Sequence, residues 1–264
     1  MAKSSGCEAL CGSRSHPNRY FCLNLRTPLP VSPMDCTMAM KTLINKLLEY
    51  TLRLLRGRWA DLAILFAGVL FPLFLFGELA EDVLEKEAFS FDQPLLLLMN
   101  SHSTPLLDAL MVFFSEAGSI RILGPCALAI AVFQFVHKLW ARLVYWVLGF
   151  GGAVLINITA KLIFTRTRPD LWISIAPETS YSFPSGHAMQ SMAFIAALTV
   201  LAWHERRRSL LLLAGGIFVV LVGTSRVYLG VHYPSDILAG WTASLAWCCG
   251  LAIILGNRLR QPRV

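Results

Sequence analysis

The sequence predicts an all-α integral-membrane protein: a bundle of about six transmembrane helices preceded by an interfacial amphipathic helix. Hydrophobic residues make up 56% of the 264 residues and charged residues 15%, whereas soluble domains contain about 45–50% apolar and about 25% charged residues. Six uncharged apolar stretches each approach the length that crosses a bilayer. Basic residues gather at alternate ends of these stretches, as they do in membrane proteins. A separate soluble domain of normal size does not fit in this length.

The first 59 residues divide into a tail and a helix. Residues 1–40 are rich in Ser, Pro, Gly and Arg and lack a continuous apolar core, which predicts a disordered tail and argues against a secretory signal peptide. Met34, Met38 and Met40 each offer an alternative start, which favours the interpretation that the tail is not native. Residues 41–59 place leucines on one helical face and basic residues on the other, typical of an interfacial amphipathic helix; a soluble partner helix is the alternative.

The membrane domain is predicted over residues 60–257, followed by a basic cytoplasmic tail at 258–264. Between the first two spans, the chain is acidic at first and then apolar. We interpret this part as a surface segment followed by a helix from about Pro105 that merges into the second span near Gly118. The six apolar stretches are 62–77, 122–137, 143–160, 188–203, 209–225 and 237–257.

The distribution of basic residues predicts the orientation. With both termini in the cytoplasm, the cytoplasmic segments carry 13 of the 23 Lys and Arg residues, counted over 41–59, 138–142, 204–208 and 258–264. The first loop on the other side is acidic. This asymmetry follows the positive-inside rule and argues against nucleic-acid binding as the reason for the net charge of +7.

Six basic or titratable residues lie at the opposite face, where topology signals are not expected. They are Lys161, Arg166, Arg168, His187, Arg226 and His232. Ionisable groups at membrane depth are costly unless paired, and they usually mark a functional site. An extracytoplasmic active site is therefore predicted at this face.

Three short motifs contain five of these six residues. The first is Lys161 with Arg168-Pro169, the second is Pro184-Ser185-Gly186-His187, and the third runs from Ser225-Arg226 through His232 to Asp236. In order and spacing they resemble the three signature motifs of the type-two phosphatidic acid phosphatase and haloperoxidase superfamily, and the resemblance covers roughly residues 60–256. Arg166 lies outside the motif spacing, and we interpret it as a surface residue, which is favoured, or as a residue that contacts the site's own side chains.

The motif residues suit a phosphate ester. Lys161, Arg168 and Arg226 would neutralise its negative charges, and arginine provides bidentate geometry. Ser185 and Gly186 begin a predicted helix, where a capping hydroxyl and exposed N–H groups form an anion-binding end. We therefore predict that these five residues bind the substrate phosphate.

Two histidines and one aspartate are the predicted catalytic residues. His232 would attack phosphorus and form a phosphohistidine, and His187 would protonate the departing lipid oxygen. Pro234 predicts that a helix begins directly after His232, with Asp236 in its first turn, where its carboxylate can accept the other ring N–H. No metal or other cofactor is expected, because the basic residues bring the positive charge and no carboxylate cluster is evident. The seven cysteines show no paired zinc-binding spacing.

The resemblance implies a lipid phosphatase of a bacterial inner or plasma membrane, whose partners are the lipid substrate and the bilayer. The short link over 171–182 is similar to that of bacterial polyprenyl diphosphate and phosphatidylglycerol phosphate phosphatases. Substrates implied are undecaprenyl diphosphate, phosphatidylglycerol phosphate and phosphatidic acid. Two alternatives stay open: a phosphotransferase that uses the same phosphohistidine, and a non-enzymatic lipid-binding scaffold. Near the second span, Asp108, Glu116 and Arg121 are further candidates for contact with the site or a headgroup.

Overall fold

A computed structural model describes residues 59–203, 205–206 and 208–259, together with the isolated residues 46 and 49. The predicted tail over 1–40 and almost all of the predicted amphipathic helix over 41–59 lie outside these residues, as does the chain beyond residue 259. Throughout the described ranges, every regular element is helical.

Eight helical elements cover the described ranges. The first, α1, comprises Trp59–Leu65, a π-helical turn at Phe66–Leu70, and Phe71–Glu85. A second π-helical turn lies at Val147–Gly151. The remaining elements are α2 (Asp92–Ser101), α3 (Pro105–Ala117), α4 (Ile120–Val136), α5 (Trp140–Trp146, Val147–Gly151 and Gly152–Phe164), α6 (Gly186–Leu201), α7 (Arg208–Tyr228) and α8 (Pro234–Leu259).

Five stretches of the described chain are long and apolar enough to cross a membrane. They are Leu62–Glu85, Pro105–Val136, Trp140–Phe164, Arg208–Tyr228 and Pro234–Gly256. The sixth apolar helix, α6, has 16 residues. The predicted all-α membrane bundle is confirmed, and each of the six predicted apolar stretches is helical over most of its length. Five of the six are long enough to count as spans in the described chain.

The region between the first two spans differs in part from the sequence interpretation. The acidic segment is not a loop at its start, because α1 continues to Glu85 with Leu79, Ala80 and Val83 buried on its inner face. An additional helix, α2, follows and begins at the buried Asp92. The predicted helix from Pro105 is confirmed, and Thr104 caps it by accepting a hydrogen bond from Leu107 N at 3.3 Å.

Small residues let α6 lie at the centre of the bundle, packed against α7 and α8. Ala188, Ala193 and Ala197 are fully buried. Gly240 of α8 lies opposite: a Cβ added there would come within 3.0 Å of both Ala188 Cβ and the backbone oxygen of Ser185. Close helix approach through small side chains is a common solution in membranes, where apolar burial alone gives little drive for association.

Large apolar side chains cover the outside of the bundle. Phe74, Leu128, Leu155 and Leu162 are each more than three-fifths exposed, as expected for a surface that faces lipid. The C-terminal ends of α5 and α7 and the N-terminal ends of α6 and α8 meet at one end of the bundle. Most of the predicted site residues line a cavity at that end.

Candidate active site

A cavity of about 560 Å³ opens at this end of the bundle. Six of the eight predicted site residues line it: Lys161, Arg168, Gly186, His187, Arg226 and His232. The other two, Ser185 and Asp236, are completely buried. Segments far apart in the sequence therefore meet around one space that an anion can enter.

Helix ends position the residues of the first motif. Lys161 lies in the last turn of α5, which stops at Phe164 because Thr165 adopts a left-handed conformation with φ 45°. The chain then runs without regular structure to Pro184, and Arg168 lies on this connection. Lys161 and Arg168 therefore reach the cavity from a helix end and from a loop.

The second motif forms the beginning of α6. Ser185 caps this helix, since its hydroxyl accepts a hydrogen bond from Ala188 N at 3.5 Å. Its own backbone N–H donates to the backbone oxygen of Asp236 at 3.1 Å, which ties α6 to α8. Gly186 faces the cavity, where an added Cβ would lie 3.1 Å from Oδ1 of Asn157. The Ser185 side chain thus bonds to its own helix, and Gly186 supplies the exposed backbone.

The hydrogen bonds of His232 define its tautomer. Nη1 of Arg168 lies 3.1 Å from Nε2 of His232. A guanidinium only donates hydrogen bonds, so Nε2 accepts with its lone pair. The ring proton is then on Nδ1, which lies 3.3 Å from Oδ2 of Asp236. A neutral imidazole therefore directs a lone pair toward the cationic cavity and an N–H toward a carboxylate.

The surroundings of His232 favour this neutral form. The side chain is 1% exposed. Burial lowers the pKa of His232 well below its usual value, and the positive charges of Arg168, Arg226 and Lys161 lower it further. The lone pair on Nε2 therefore stays free of a proton.

The two carboxylate oxygens of Asp236 have different hydrogen-bond partners. Oδ2 accepts hydrogen bonds from Ser182 Oγ at 2.5 Å and from Tyr233 N at 2.9 Å, in addition to facing His232. Oδ1 accepts from Nη1 of Arg166 at 2.6 Å. The helix start predicted at Pro234, with Asp236 in the first turn of α8, is confirmed.

Arg226 and Arg168 share an acidic neighbour. Nη2 of Arg226 donates to Oε1 of Glu178 at 2.6 Å, and Nη1 donates to Ser115 Oγ. The other oxygen of Glu178 lies 4.0 Å from Nη2 of Arg168. The Glu178 carboxylate thus lies between two guanidinium groups that are predicted to bind phosphate.

The same link between the first two motifs satisfies other cationic donors. Nζ of Lys161 donates to Ser180 Oγ at 2.9 Å and to the backbone oxygen of Tyr181 at 2.7 Å. Nε of Arg168 donates to the backbone oxygen of Ser180 at 2.6 Å. Residues 178–181 therefore hold the donors that a bound phosphate would need.

Sequence reasoning missed several residues around the site. Asp92, Ser115, Glu178, Ser182 and Ser235 all contact motif side chains or Arg166. Glu178 and Ser182 are close to the second motif in sequence, and this proximity was the available signal. Asp92 and Ser115 lie more than 60 residues away from the motifs they serve, so they carry no such signal.

The other candidates divide into cavity residues and structural ones. Glu116 and Arg121 line the cavity. Asp108 instead accepts a hydrogen bond from the hydroxyl of Tyr228 at 2.6 Å, joining α3 to α7. The side chain of Arg166 is 15% exposed and bonds to Asp236, so the favoured interpretation of Arg166 as a surface residue is wrong and its contact with the site's side chains is confirmed. Among the described residues, no group of three or more His, Cys, Asp or Glu side chains is arranged to hold a metal ion.

The fold and the site together define a class of protein: a helical integral-membrane protein with a cationic cavity and two imidazoles at one end of its bundle. Comparison with known proteins gives the family. The PAP2 superfamily matches residues 126–260. An undecaprenyl-diphosphatase of Sulfolobus acidocaldarius is 31% identical over 173 residues, which cover 64% of this chain and 80% of that protein.

A Bacillus subtilis relative and a crystal structure from Bacillus subtilis agree with this match. Phosphatidylglycerophosphatase B is 33% identical over 147 residues, covering 53% of this chain and 71% of that protein. The crystal structure of a transmembrane PAP2-type phosphatidylglycerolphosphate phosphatase aligns with a TM-score of 0.63 and 27% identity, covering 73% of this chain and 98% of that chain. The chain belongs to the PAP2 superfamily, and it is an enzyme of the phosphatase class.

Proposed function

We propose that this enzyme releases phosphate from a membrane lipid phosphate or diphosphate through a phosphohistidine on His232, without a metal ion. One observation carries the proposal: Nε2 of His232 faces the cationic cavity beside Arg168, while Nδ1 faces Asp236. This is the arrangement that an in-line nucleophile requires. The substrate classes that fit are undecaprenyl diphosphate, phosphatidylglycerol phosphate and phosphatidic acid. Similar proteins are an undecaprenyl-diphosphatase and a phosphatidylglycerophosphatase B, which correspond to the first two.

The proposed first step transfers the phosphoryl group to the enzyme. The lone pair on Nε2 of His232 attacks phosphorus, and the bond from phosphorus to the bridging oxygen breaks. The negative charge of the bound phosphate offsets the cationic neighbours of His187 and favours its protonated form. His187 then gives its proton to that oxygen, which leaves on the lipid alcohol or, for a diphosphate, on the lipid monophosphate. Lys161, Arg168 and Arg226 neutralise the phosphoryl oxygens as charge develops. Asp236 stabilises the cationic ring through its N–H.

The proposed second step restores the enzyme. A water molecule attacks phosphorus of the phosphohistidine, the bond from phosphorus to Nε2 breaks, and inorganic phosphate leaves. His187, now neutral, takes the proton from the attacking water. Lys161, Arg168 and Arg226, which line the cavity, supply the positive charge that a metal would bring.

The experiment measures inorganic phosphate released in EDTA from dioctanoyl phosphatidic acid, dioctanoyl phosphatidylglycerol phosphate and undecaprenyl diphosphate. We expect the wild type to be active on at least one lipid and the His232→Ala variant to be inactive. The matched control is His137→Ala, because His137 directly follows α4 at the end of that helix that is farther from the cavity. Near-normal activity of His232→Ala, or a wild type that EDTA inactivates, contradicts the mechanism.

The cavity is proposed to open on the extracytoplasmic side. The support is the distribution of charge along the sequence. If both termini are cytoplasmic, most Lys and Arg residues lie on the cytoplasmic side, opposite the cavity, as the positive-inside rule requires. A cysteine introduced at Ile173, which is 97% exposed on the loop beside the cavity, should react with a membrane-impermeant maleimide in intact cells. A cysteine at Arg206 should react only after lysis. The reverse pattern contradicts this orientation.

A further inference from the structure

Arg166 lies behind the pair formed by His232 and Asp236, on the side away from the cavity. It is absent from the residues that line the cavity, although four other described Lys or Arg side chains line it. Its Nη1 donates to Oδ1 of Asp236 at 2.6 Å and to Ser235 Oγ at 2.8 Å. The other oxygen of Asp236 faces His232. Arg166 and the nucleophile therefore bind opposite oxygens of one carboxylate.

A second buried carboxylate fixes Arg166 in this position. Nη2 of Arg166 lies 3.0 Å from Oδ2 of Asp92, whose side chain is 5% exposed. Asp92 also accepts hydrogen bonds from Ser235, at 2.9 Å from the backbone N–H and at 2.5 Å from the hydroxyl. Since Ser235 directly precedes Asp236, Asp92 connects the start of α2 to the start of α8.

Aromatic rings hold the plane of the guanidinium. The Cζ atom of Arg166 lies 4.2 Å from the ring centre of Tyr233 and 5.5 Å from that of Phe89. Cation–π contact of this kind is strongest where water is excluded. A lysine could keep the charge but not the two separated N–H contacts and the stacking.

Asp236 needs a partner in this environment. Its side chain has no exposed surface, and an unpaired buried carboxylate is too costly to remain ionised. Within the described part of the chain, Arg166 is the only Lys or Arg that forms a salt bridge with it. His232 becomes cationic only during the reaction, so it cannot supply this charge beforehand.

We propose that Arg166, anchored by Asp92 and stacked on Tyr233, is a positioning residue that keeps Asp236 ionised and aims its Oδ2 at His232. Arg166 does not contact the substrate phosphate. This inference rests on the proposed function, since it assigns Arg166 a role through the phosphohistidine step.

The test compares Arg166→Gln in the wild-type and Asp236→Asn backgrounds, with dioctanoyl phosphatidic acid as the probe. In the wild-type background we expect kcat to fall about 10- to 100-fold, the range of coupling between contacting residues, with KM changed by less than about twofold. In the Asp236→Asn background the same substitution should change kcat by less than about threefold, because its target is already neutral. Arg166→Lys should be intermediate. Lys161→Gln, which alters a cavity residue, is the control and should raise KM in both backgrounds.

The outcomes separate this inference from the proposed function. A wild type that releases no phosphate from any of the three lipids contradicts the function itself; if it is active on another of them but not on dioctanoyl phosphatidic acid, that lipid replaces the probe. If the wild type is active and His232→Ala inactive, a normal kcat for Arg166→Gln or an effect confined to KM overturns the inference. An equal loss in both backgrounds also overturns it, because a general folding defect acts without Asp236. If Arg166→Gln does not yield folded protein, Asp92→Asn replaces it and should lower kcat in the same background-dependent way.

A pH profile gives a second readout. Two charged or titratable groups contact Asp236, namely Arg166 and His232. The others nearby are Tyr233, Lys161 and Arg168 at the cavity, and Asp92 behind Arg166. Loss of Arg166 makes ionisation of the carboxylate harder, so the acidic limb of kcat should move to higher pH by about one unit. An unmoved limb, measured with variants of equal thermal stability, contradicts the proposal.

Discussion

The Glu178 carboxylate occupies the space where the site is predicted to hold a phosphoryl group. It lies 2.6 Å from Arg226 and 4.0 Å from Arg168, so a bound phosphate has to displace it or share these donors with it. We expect the Glu178→Gln substitution to lower KM for lipid phosphates, because it removes a negative charge that repels and competes with the substrate.

The expected size follows from the geometry. Two unit charges about 4 Å apart interact with about 1 kcal/mol in water and about 4 kcal/mol at an effective dielectric constant of about 20. The side chain of Glu178 is 32% exposed, so solvent screening places the effect near the lower value. About 1 kcal/mol corresponds to roughly a fivefold decrease in KM.

The assay is initial-rate phosphate release from dioctanoyl phosphatidic acid at several concentrations in detergent. Glu116→Gln is the control, because Glu116 also lines the cavity and carries the same charge. Unlike Glu178, Glu116 forms no ion pair with any residue in the described ranges. Its effect on KM should be smaller. An increase in KM for Glu178→Gln refutes the reasoning, because Glu178 would then support Arg226 rather than compete with phosphate.

Two further predictions concern packing and pH. Gly240→Ala should destabilise the protein by about 1–3 kcal/mol through overpacking, since its Cβ would meet the backbone of Ser185 and the Cβ of Ala188 at 3.0 Å. Thermal unfolding in detergent measures this effect. The control is Gly250→Ala on the same helix, which should be neutral because an added Cβ there meets nothing within 4 Å. Equal unfolding temperatures for both variants contradict the packing argument. Because burial and its cationic neighbours hold the pKa of His232 well below its usual value, the unfolded chain takes up a proton there below about pH 6.5 and the folded protein does not. The free energy of unfolding should therefore fall as the pH drops below that value, by up to about 1.4 kcal/mol per pH unit from this group. The slope of unfolding temperature against pH should be smaller for His232→Gln than for the wild type. An unchanged slope contradicts the burial of a neutral ring.

The helical spans were predictable because their signal is local. An apolar stretch of sufficient length must form a helix in a bilayer, where backbone groups find no water. The limits of this reasoning appear at α1, where the acidic residues up to Glu85 suggested a surface loop. These acidic residues lower the hydropathy and therefore suggested a loop. The chain there nevertheless remains helical, because Leu79 and Val83 pack inward.

The site was predictable only as far as its motifs reach. Lys161, Arg168, His187, Arg226 and His232 line one cavity, as the sequence led us to expect. Their roles in binding and catalysis remain predictions. The serine of the second motif illustrates a limit, since its hydroxyl bonds to its own helix and its backbone to α8.

The sequence by itself determined which segments enter the membrane and which chemical groups gather at one end, because hydropathy, charge and motif spacing are written along the chain. Tertiary structure alone decided how the charges pair. Arg166 meets Asp92 across 74 positions and Asp236 across 70, and Glu178 reaches Arg226 across 48. Such pairings depend on how α2, the link before α6 and the start of α8 pack together, and electrostatic attraction between buried groups acts through space without regard to sequence separation.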